Sequence, residues 1–369
     1  MTSLTAQERR DRLRLARTDQ VGAVTFHALL SRFRSAERAL EALPSLSLRG
    51  GRTHPLRPIS ADEAEREIRS GDQLGARLIV FGDQDYPKPL AVSDPAPPIL
   101  WVLGIENLLQ RPALSIVGAR NASAAGQRFA RSLAHDLGQA GFVVASGLAR
   151  GIDGAAHQGA IDTGTIAVLA GGIDDIYPPE HRELYDDIAR RGLLVSENAP
   201  GRKAQARDFL RRNRIIAGLS AGVIVVEAEL KSGSLITARL ASEMGREVFA
   251  VPGSPLDPRS RGVNDLLRQG ATLCEGLDDI ARELSRQRLI AEPERDLFNE
   301  GPLDEDALAK ISEQLRRRLL ELISVTPVSR DELVRASGAP VGAVLAVLVE
   351  LQLAGRIELL QGGMVSATD

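Results

Sequence analysis

SIVGA (115–119), FVVASG (142–147), TIAVLAGG (165–172), LLVSE (193–197), GVIVVEA (222–228) and EVFAVPG (247–253) are the stretches that decide the fold. Each is short, apolar and rich in β-branched residues, and helical-looking segments separate most of them. A strand that is apolar along its whole length has to be covered on both faces. Six such strands alternating with helices predict an α/β fold with a mostly parallel sheet and helices on both sides.

Working outward, residues 75–109 contain FGDQDYPKPL and DPAPPILWVLG, in which prolines break regular structure while Leu100, Trp101 and Val102 offer a strand that must be covered. These residues read as a connector packed onto the main domain. Residues 11–46 read as short amphipathic helices punctuated near Gly22 and Pro44. Beyond the core, residues 292–306 hold seven acids and one arginine, the composition of a solvated linker. Three helical segments and a strand pair around Gly362 and Gly363 follow, the pattern of a winged helix-turn-helix. Its third helix, Pro340 to Ala354, carries no arginine or lysine, which suits protein contact better than DNA reading. The expected domains are a helical module at 1–75, the core at 76–290, an acidic linker at 291–307 and a winged-helix-like module at 308–369.

At 369 residues and 43% hydrophobic content the chain can build two or three cores. Its net charge of −3 supplies no global attraction for a polyanion. Residues 112–275 carry 19 basic and 18 acidic side chains, whereas residues 276–369 carry 11 and 17. Any anion-binding surface must therefore be a local patch. The single cysteine, Cys274, excludes an internal disulfide framework and a multi-cysteine metal site. With no apolar signal core at the amino terminus and no membrane-spanning run, a cytoplasmic protein is expected.

In a parallel α/β sheet, ligands meet backbone amides and helix amino termini at the strand-end loops. The first such loop here, SIVGARNASAAGQRF (115–129), lacks the compact G-x-G-x-x-G turn but places Arg120 shortly after Gly118. The second, ASGLARGIDGAAHQGAI (145–161), offers Gly147 and Gly151 for close approach and Ser146 as a hydroxyl donor. Its Asp153 and His157 share a helix face, an arrangement that capping and packing also explain. The third, VLAGGIDDIYPPEHRELY (168–185), holds acids and His181 without zinc spacing, and reads as an Asp-capped loop held by Tyr177 and Pro178.

The fourth loop is the most informative. GRKAQARDFLRRNRIIAGLS (201–220) has six basic residues, Arg202, Lys203, Arg207, Arg211, Arg212 and Arg214, against one acid within residues 202–214. With Phe209 and Asn213 among them, the segment suits single-stranded nucleic acid: guanidiniums neutralise phosphate and an aromatic face stacks a base. In the fifth loop, Lys231, Ser232, Gly233 and Ser234 precede a helix whose free amides can hold an anion. No nucleophile stands in a recognisable context with a base, and neither a usual metal set nor a nucleotide-hydrolysis apparatus is present. Binding without turnover, cofactor or metal is the expectation. An enzyme acting on a nucleotide or phosphorylated small molecule is the alternative, because fold does not fix function.

Taken together, SIVGARNASAAG, SGLARGIDGAAHQGAI, VLAGGIDDIYPPEH, FLRRNRIIAGLS, KSGSLITARLA and FAVPGSPLDPRSRGVNDLLRQGA closely resemble the DNA-processing protein A (DprA or Smf) family. The resemblance is strong over residues 75–275 and weaker in both flanks. It implies an extended Rossmann-like core with a helical amino-terminal module and a carboxy-terminal winged helix. It also implies a homodimer that binds single-stranded DNA and helps load the RecA recombinase during natural transformation. Matching the family's motifs, Gly118, Arg120, Ser146, Gly147, Gly151, Phe209, Arg212, Asn213, Arg214 and Lys231 to Ser234 are the implied DNA-binding residues, with Lys203, Arg207 and Arg211 added by the basic run. The first loop departs from the family's commoner form, reading NASAA in place of a stretch rich in threonine, proline and tyrosine.

Overall fold

Three helices open the chain in the computed structural model, which describes residues 4–290 and 305–368: α1 (Ala6–Arg17), α2 (Ala23–Phe33) and α3 (Ala36–Arg49). The hydroxyls of Thr5 and Ser35 cap α1 and α3 by accepting from the amides of Glu8 and Arg38. Gly22 stands at the start of α2, as its punctuation predicts. Pro44 does not end a helix but lies inside α3. An interior proline costs about 3 kcal/mol, yet Leu40, Leu43 and Leu46 on the same helix are buried. Each buried leucine contributes about 1.5–3 kcal/mol, so burial outweighs the lost hydrogen bond.

Helix α4 (Ala61–Gln73) precedes the core. The core then runs β1 (Arg77–Val80), α5 (Lys88–Ala91), β2 (Ile99–Gly104), β3 (Ala113–Val117), α6 (Ala124–Gln139), β4 (Val143–Ser146), α7 (Ile152–Ala160), β5 (Thr165–Val168) and α8 (Arg182–Arg191). It continues with β6 (Leu193–Ser196), α9 (Ala206–Leu219), β7 (Gly222–Val225), α10 (Gly233–Glu243), β8 (Glu247–Ala250), α11 (Arg261–Arg268), β9 (Thr272–Leu273) and α12 (Leu277–Ile290). All six apolar stretches form strands.

The nine strands order as β1-β2-β6-β5-β4-β3-β7-β8-β9. From β6 to β9 every pairing is parallel, whereas β2 runs antiparallel to both β6 and β1. The segment read as a packed connector with a strand at Leu100 to Val102 thus extends the sheet by two strands, its prolines falling in and around α5 between them. Val143, Ile166, Val195, Val223 and Val225 face Ile215, Ile216 and Leu219 of α9. On the opposite face Leu114, Ile116, Val144 and Phe249 meet Leu133 and Leu137 of α6 and Ile152 of α7. Both faces are covered, which accounts for strands without polar alternation. From β3 the chain steps outward through β4, β5 and β6, then returns to the other side of β3 for β7. Strand order reverses there, so the loops leaving β3 and β7 diverge and open a crevice.

The carboxy-terminal residues form α13 (Glu305–Leu322), β10 (Val328–Ser329), α14 (Arg330–Ser337), α15 (Val341–Leu353), β11 (Ile357–Leu359) and β12 (Met364–Ala367). Their small antiparallel sheet, ordered β10-β12-β11, completes a winged helix. Most of the predicted acidic linker, residues 291–304, lies outside the described residues, and residues 305–307 begin α13.

By contacts, residues 66–290 form one unit, and residues 4–65 form a second together with residues 305–368. In the second unit α15 packs on α3. Arg316 and Arg49 flank the buried carboxylate of Glu350 at 2.8 and 3.5 Å, and Arg52 donates to the carbonyl of Leu353 at 3.3 Å. Residues 4–65 of the expected amino-terminal module thus group with the carboxy-terminal module, whereas its residues 66–75 group with the core. Among the described residues no single helix is long and apolar enough to cross a membrane.

Gly71 of α4 lies directly against the fully buried ring of Trp101, where a Cβ would overlap the indole. Gly71→Ala should therefore destabilise the core by about 1–3 kcal/mol through overpacking. Denaturant titration checks this, and an unchanged midpoint contradicts it.

Candidate nucleic-acid interface

The loop from β3 to α6 turns at Gly118, where a Cβ would come within 2.6 Å of Ile152. It leaves Arg120 exposed. Ser123 caps α6 by accepting from the Gly126 amide, and Glu227, beyond β7, accepts from the Ser123 hydroxyl at 2.5 Å and amide at 2.8 Å. The two loops that diverge from the switch point are thereby tied together.

The loop from β4 to α7 is held from behind by buried polar side chains. Asp153 accepts from the amides of Gly147 and Ala149 at 3.2 and 3.4 Å. Leu148 has a φ of 55°, a left-handed conformation that costs a branched residue energy and needs support. Its amide donates to His157 Nε2 at 3.3 Å, and His181 Nδ1 lies 3.0 Å from its carbonyl oxygen. Thr165 Oγ1 donates to the Val144 carbonyl, so at 2.7 Å it accepts from His157 Nδ1. His157 is therefore neutral, with its proton on Nδ1. Burial, aided by His181 and Arg212, pushes its pKa down to about 3. Gly151, at φ 75°, sits against the carbonyls of Ala119 and Arg120.

Helix α9 starts with a capping box formed by Gln205 and Asp208, and Arg202 grips Asp208 with two bonds of 2.9 and 3.0 Å. Phe209 lies on the first turn, and the Arg120 guanidinium carbon is 5.5 Å from its ring centroid. Arg212 is only 7% exposed and donates to the Val168 carbonyl at 2.7 Å. Its buried Nε has no hydrogen-bond partner. Burial lowers the Arg212 pKa to about 10 against the opposing pull of Asp153, so it stays charged at neutral pH. Burial also raises the Asp153 carboxyl above its ordinary range, opposed by Arg212 and by the two amides.

These elements enclose a cavity of about 460 Å³ at the switch point. Gly118, Arg120, Phe209, Arg212, Asn213 and Lys231 to Ser234 line it, so nine of the residues expected from sequence converge. Its floor includes the amino terminus of α10, where Ser232 accepts from the Ser234 amide and bonds the Ser234 hydroxyl at 2.7 Å. A helix start with free amides favours an anion. A buried guanidinium N–H without a protein acceptor in the same wall adds to that preference. Asp153 and Glu229 also reach this wall, which confines the attraction to part of it.

The other expected residues lie elsewhere. Gly147 and Lys203 line two adjoining hollows that share Arg120 and Phe209 with the main cavity. Ser146 is fully buried and donates to the Ile116 carbonyl at 2.6 Å, bracing β4 to β3. Arg214, 4% exposed, donates to the Pro95 carbonyl and pairs with Glu197 at 2.5 Å. The structure thus gives Ser146 and Arg214 bracing roles, since their polar atoms are engaged away from the cavity. Arg207 and Arg211 are exposed and off its wall. Asn121 and Leu210, which stand inside the family motifs but not among the implied DNA-binding residues, join the lining, as does Glu229.

A family model described as DNA recombination-mediator protein A matches residues 77–285, flanked by models for a DprA-like N-terminal HHH domain at 6–70 and a DprA winged helix domain at 302–363. Protein Smf of Escherichia coli strain K12 is 40% identical over 299 residues, 80% of this chain and 78% of its own length. The chain belongs to the DNA recombination-mediator protein A family. Two solved family structures superpose on it. DNA processing protein A of Streptococcus pneumoniae gives a TM-score of 0.63 at 30% identity, covering 76% of this chain and 99% of its own. DNA processing protein A of Helicobacter pylori, in a structure titled for its single-stranded DNA binding mode, gives 0.53 at 30% identity, covering 57% and 96%.

Two stability predictions follow from the bracing residues. Arg214→Ala removes both a buried ion pair with Glu197 and the hydrogen bond to the Pro95 carbonyl, so it should cost about 3–5 kcal/mol, whereas Arg211→Ala should change stability by less than about 0.5 kcal/mol. Equal unfolding midpoints for the two variants would contradict this. For His157, the folded pKa of about 3 lies below the unfolded value of 6.5. The unfolded chain therefore takes up a proton that the folded chain refuses. The His157 contribution is complete above pH 6.5 and declines as pH falls toward 3, by up to about 1.4 kcal/mol per pH unit. A His157→Gln variant should lose that part of the slope between pH 7 and 5.5, and an unaltered slope would show that His157 titrates normally.

Proposed function

We propose that the chain binds single-stranded DNA in the switch-point cavity and helps load a RecA recombinase on that strand during natural transformation. It acts as a mediator, without catalytic turnover and without a cofactor. The observation that carries this reading is the Arg120–Phe209 pair at the mouth of a cavity floored by the α10 amino terminus. Arg120 and the free amides suit phosphate, and the Phe209 ring suits a base. A base can stack on that ring only when it has left a duplex, so the site favours a single strand. Family membership and the single-strand binding named for the H. pylori relative support the same ligand.

The buried acid–base candidates support binding over turnover. Asp153 accepts two loop amides, and both nitrogens of His157 are engaged within the fold. His157 therefore has no nitrogen left for a substrate, which general acid–base chemistry requires, and Asp153, though it reaches the cavity wall, serves as an anchor for the loop and a counter-charge to Arg212. A homodimer would present two cavities to one continuous strand, and linked sites bind far more tightly than either alone. Such a protein would work in the cytoplasm, where an internalised strand meets the recombinase.

Fluorescence anisotropy with a labelled oligothymidylate tests the proposal. Phe209→Ala should weaken binding by about 1–3 kcal/mol. Arg120→Ala should reduce the slope of log affinity against log salt by about 0.7, the loss of one phosphate contact on a single strand. Equal affinity for duplex, or competition by free nucleotide with no polymer binding, would favour an enzyme of small phosphorylated substrates instead.

A further inference from the structure

Tyr177 has no role in the fold that explains its exposure. The loop carrying it is firmly held: Asp174 accepts from the Gly201 amide at 2.7 Å, Asp175 from the Ala204 amide at 2.8 Å, and the Gly172 amide donates to the Arg202 carbonyl at 2.6 Å. The Tyr185 hydroxyl also donates to the Ile173 carbonyl at 2.7 Å. On this rigid support the Tyr177 side chain remains 50% exposed. Its ring centroid lies 5.3 Å from that of Phe209, with the planes at 65°.

That geometry limits what the two rings can do together. A base held between parallel rings needs about 7 Å between them, twice the contact distance of carbon atoms. At 5.3 Å and nearly edge-on, no base fits between Tyr177 and Phe209, and each ring offers its free face to a different base. Beside Tyr177 opens a groove of about 660 Å³, walled by Arg120, Lys203, Phe209 and the half-exposed Leu210, with Asp175 at its edge. Lys203 is 81% exposed and pairs with Asp175 at 3.0 Å. Asp175 is buried and also accepts from the Ala204 amide, so it keeps a partner when the exposed ammonium, on its flexible stem, turns to a phosphate in the groove.

We propose that Tyr177 is the platform for a second nucleobase, one nucleotide along the strand from the base on Phe209, with Lys203 facing the phosphate of that nucleotide. The inference rests on the reading of the chain as a single-strand binder, and it makes the Tyr177 groove a distinct subsite beside the switch-point cavity.

The test uses the full chain and labelled oligothymidylate, with Tyr177→Ala, Tyr177→Phe and Tyr177→Trp compared with wild type. Tyr177→Ala should bind about tenfold more weakly, in the range expected for loss of one stacked base, and Tyr177→Phe should bind like wild type because stacking needs the ring alone. The sequence has one tryptophan, the buried Trp101, so Tyr177→Trp adds a single exposed reporter whose emission should be quenched by the oligonucleotide. Wild-type affinity in Tyr177→Ala, or an unquenched Tyr177→Trp that still binds, overturns the subsite; if Phe209→Ala loses binding in the same assay, the single-strand reading survives that failure. A wild-type chain that binds no oligonucleotide overturns both.

Discussion

Reversal of strand order at β3 is the constraint on which the rest of this structure depends. With β4 on one side and β7 on the other, the loops leaving β3 and β7 cannot follow each other across the sheet. The crevice between them receives the start of α10 from one direction and the side chains of α9 from another. Because the strands around β3 are buried on both faces, the crevice stands on rigid walls rather than on loops alone. Glu227 reinforces the geometry by holding Ser123 across the gap.

Arg212 places a buried positive charge in the wall of that crevice. It lies where α9 passes the ends of β4 and β5, donates to the Val168 carbonyl, and leaves its Nε without a protein acceptor. Asp153 is close enough to favour its charge while its Oδ2 accepts from both the Gly147 and Ala149 amides. The same carboxylate thus shapes the loop and offsets the cost of burying the guanidinium. His157 supports the strained Leu148 only in its neutral form, which its burial enforces.

Much of the core was legible in sequence because its signal is local. An apolar, β-branched run buried on both faces looks unlike a helix or an edge strand, and six of them with helical spacers admit few arrangements. Of the antiparallel pair, β2 was legible as a strand at Leu100, Trp101 and Val102, whereas β1 and the pairing were obscured by the prolines between them. Site residues were legible as a group but not individually. In RRNR, Arg211 is exposed whereas Arg212 and Arg214 are buried. Helical periodicity does not sort them, because α9 is buried all round from Arg212 onward. Tyr177 pairs with a ring 32 positions away, and α3 packs on α15 some 300 residues later. Contacts between distant segments leave no periodic trace in a single sequence.

The central claim is that a single DNA strand lies across the loops following β3, β4, β5 and β7 and the start of α9. Hydrogen–deuterium exchange of the full chain, with and without saturating oligothymidylate, tests it most directly. Protection should appear in residues 118–123, 147–151, 203–213 and 231–237, with the β8–β9 side of the core unchanged. Protection confined to residues 4–65 and 305–368, with none at the switch point, would contradict the account.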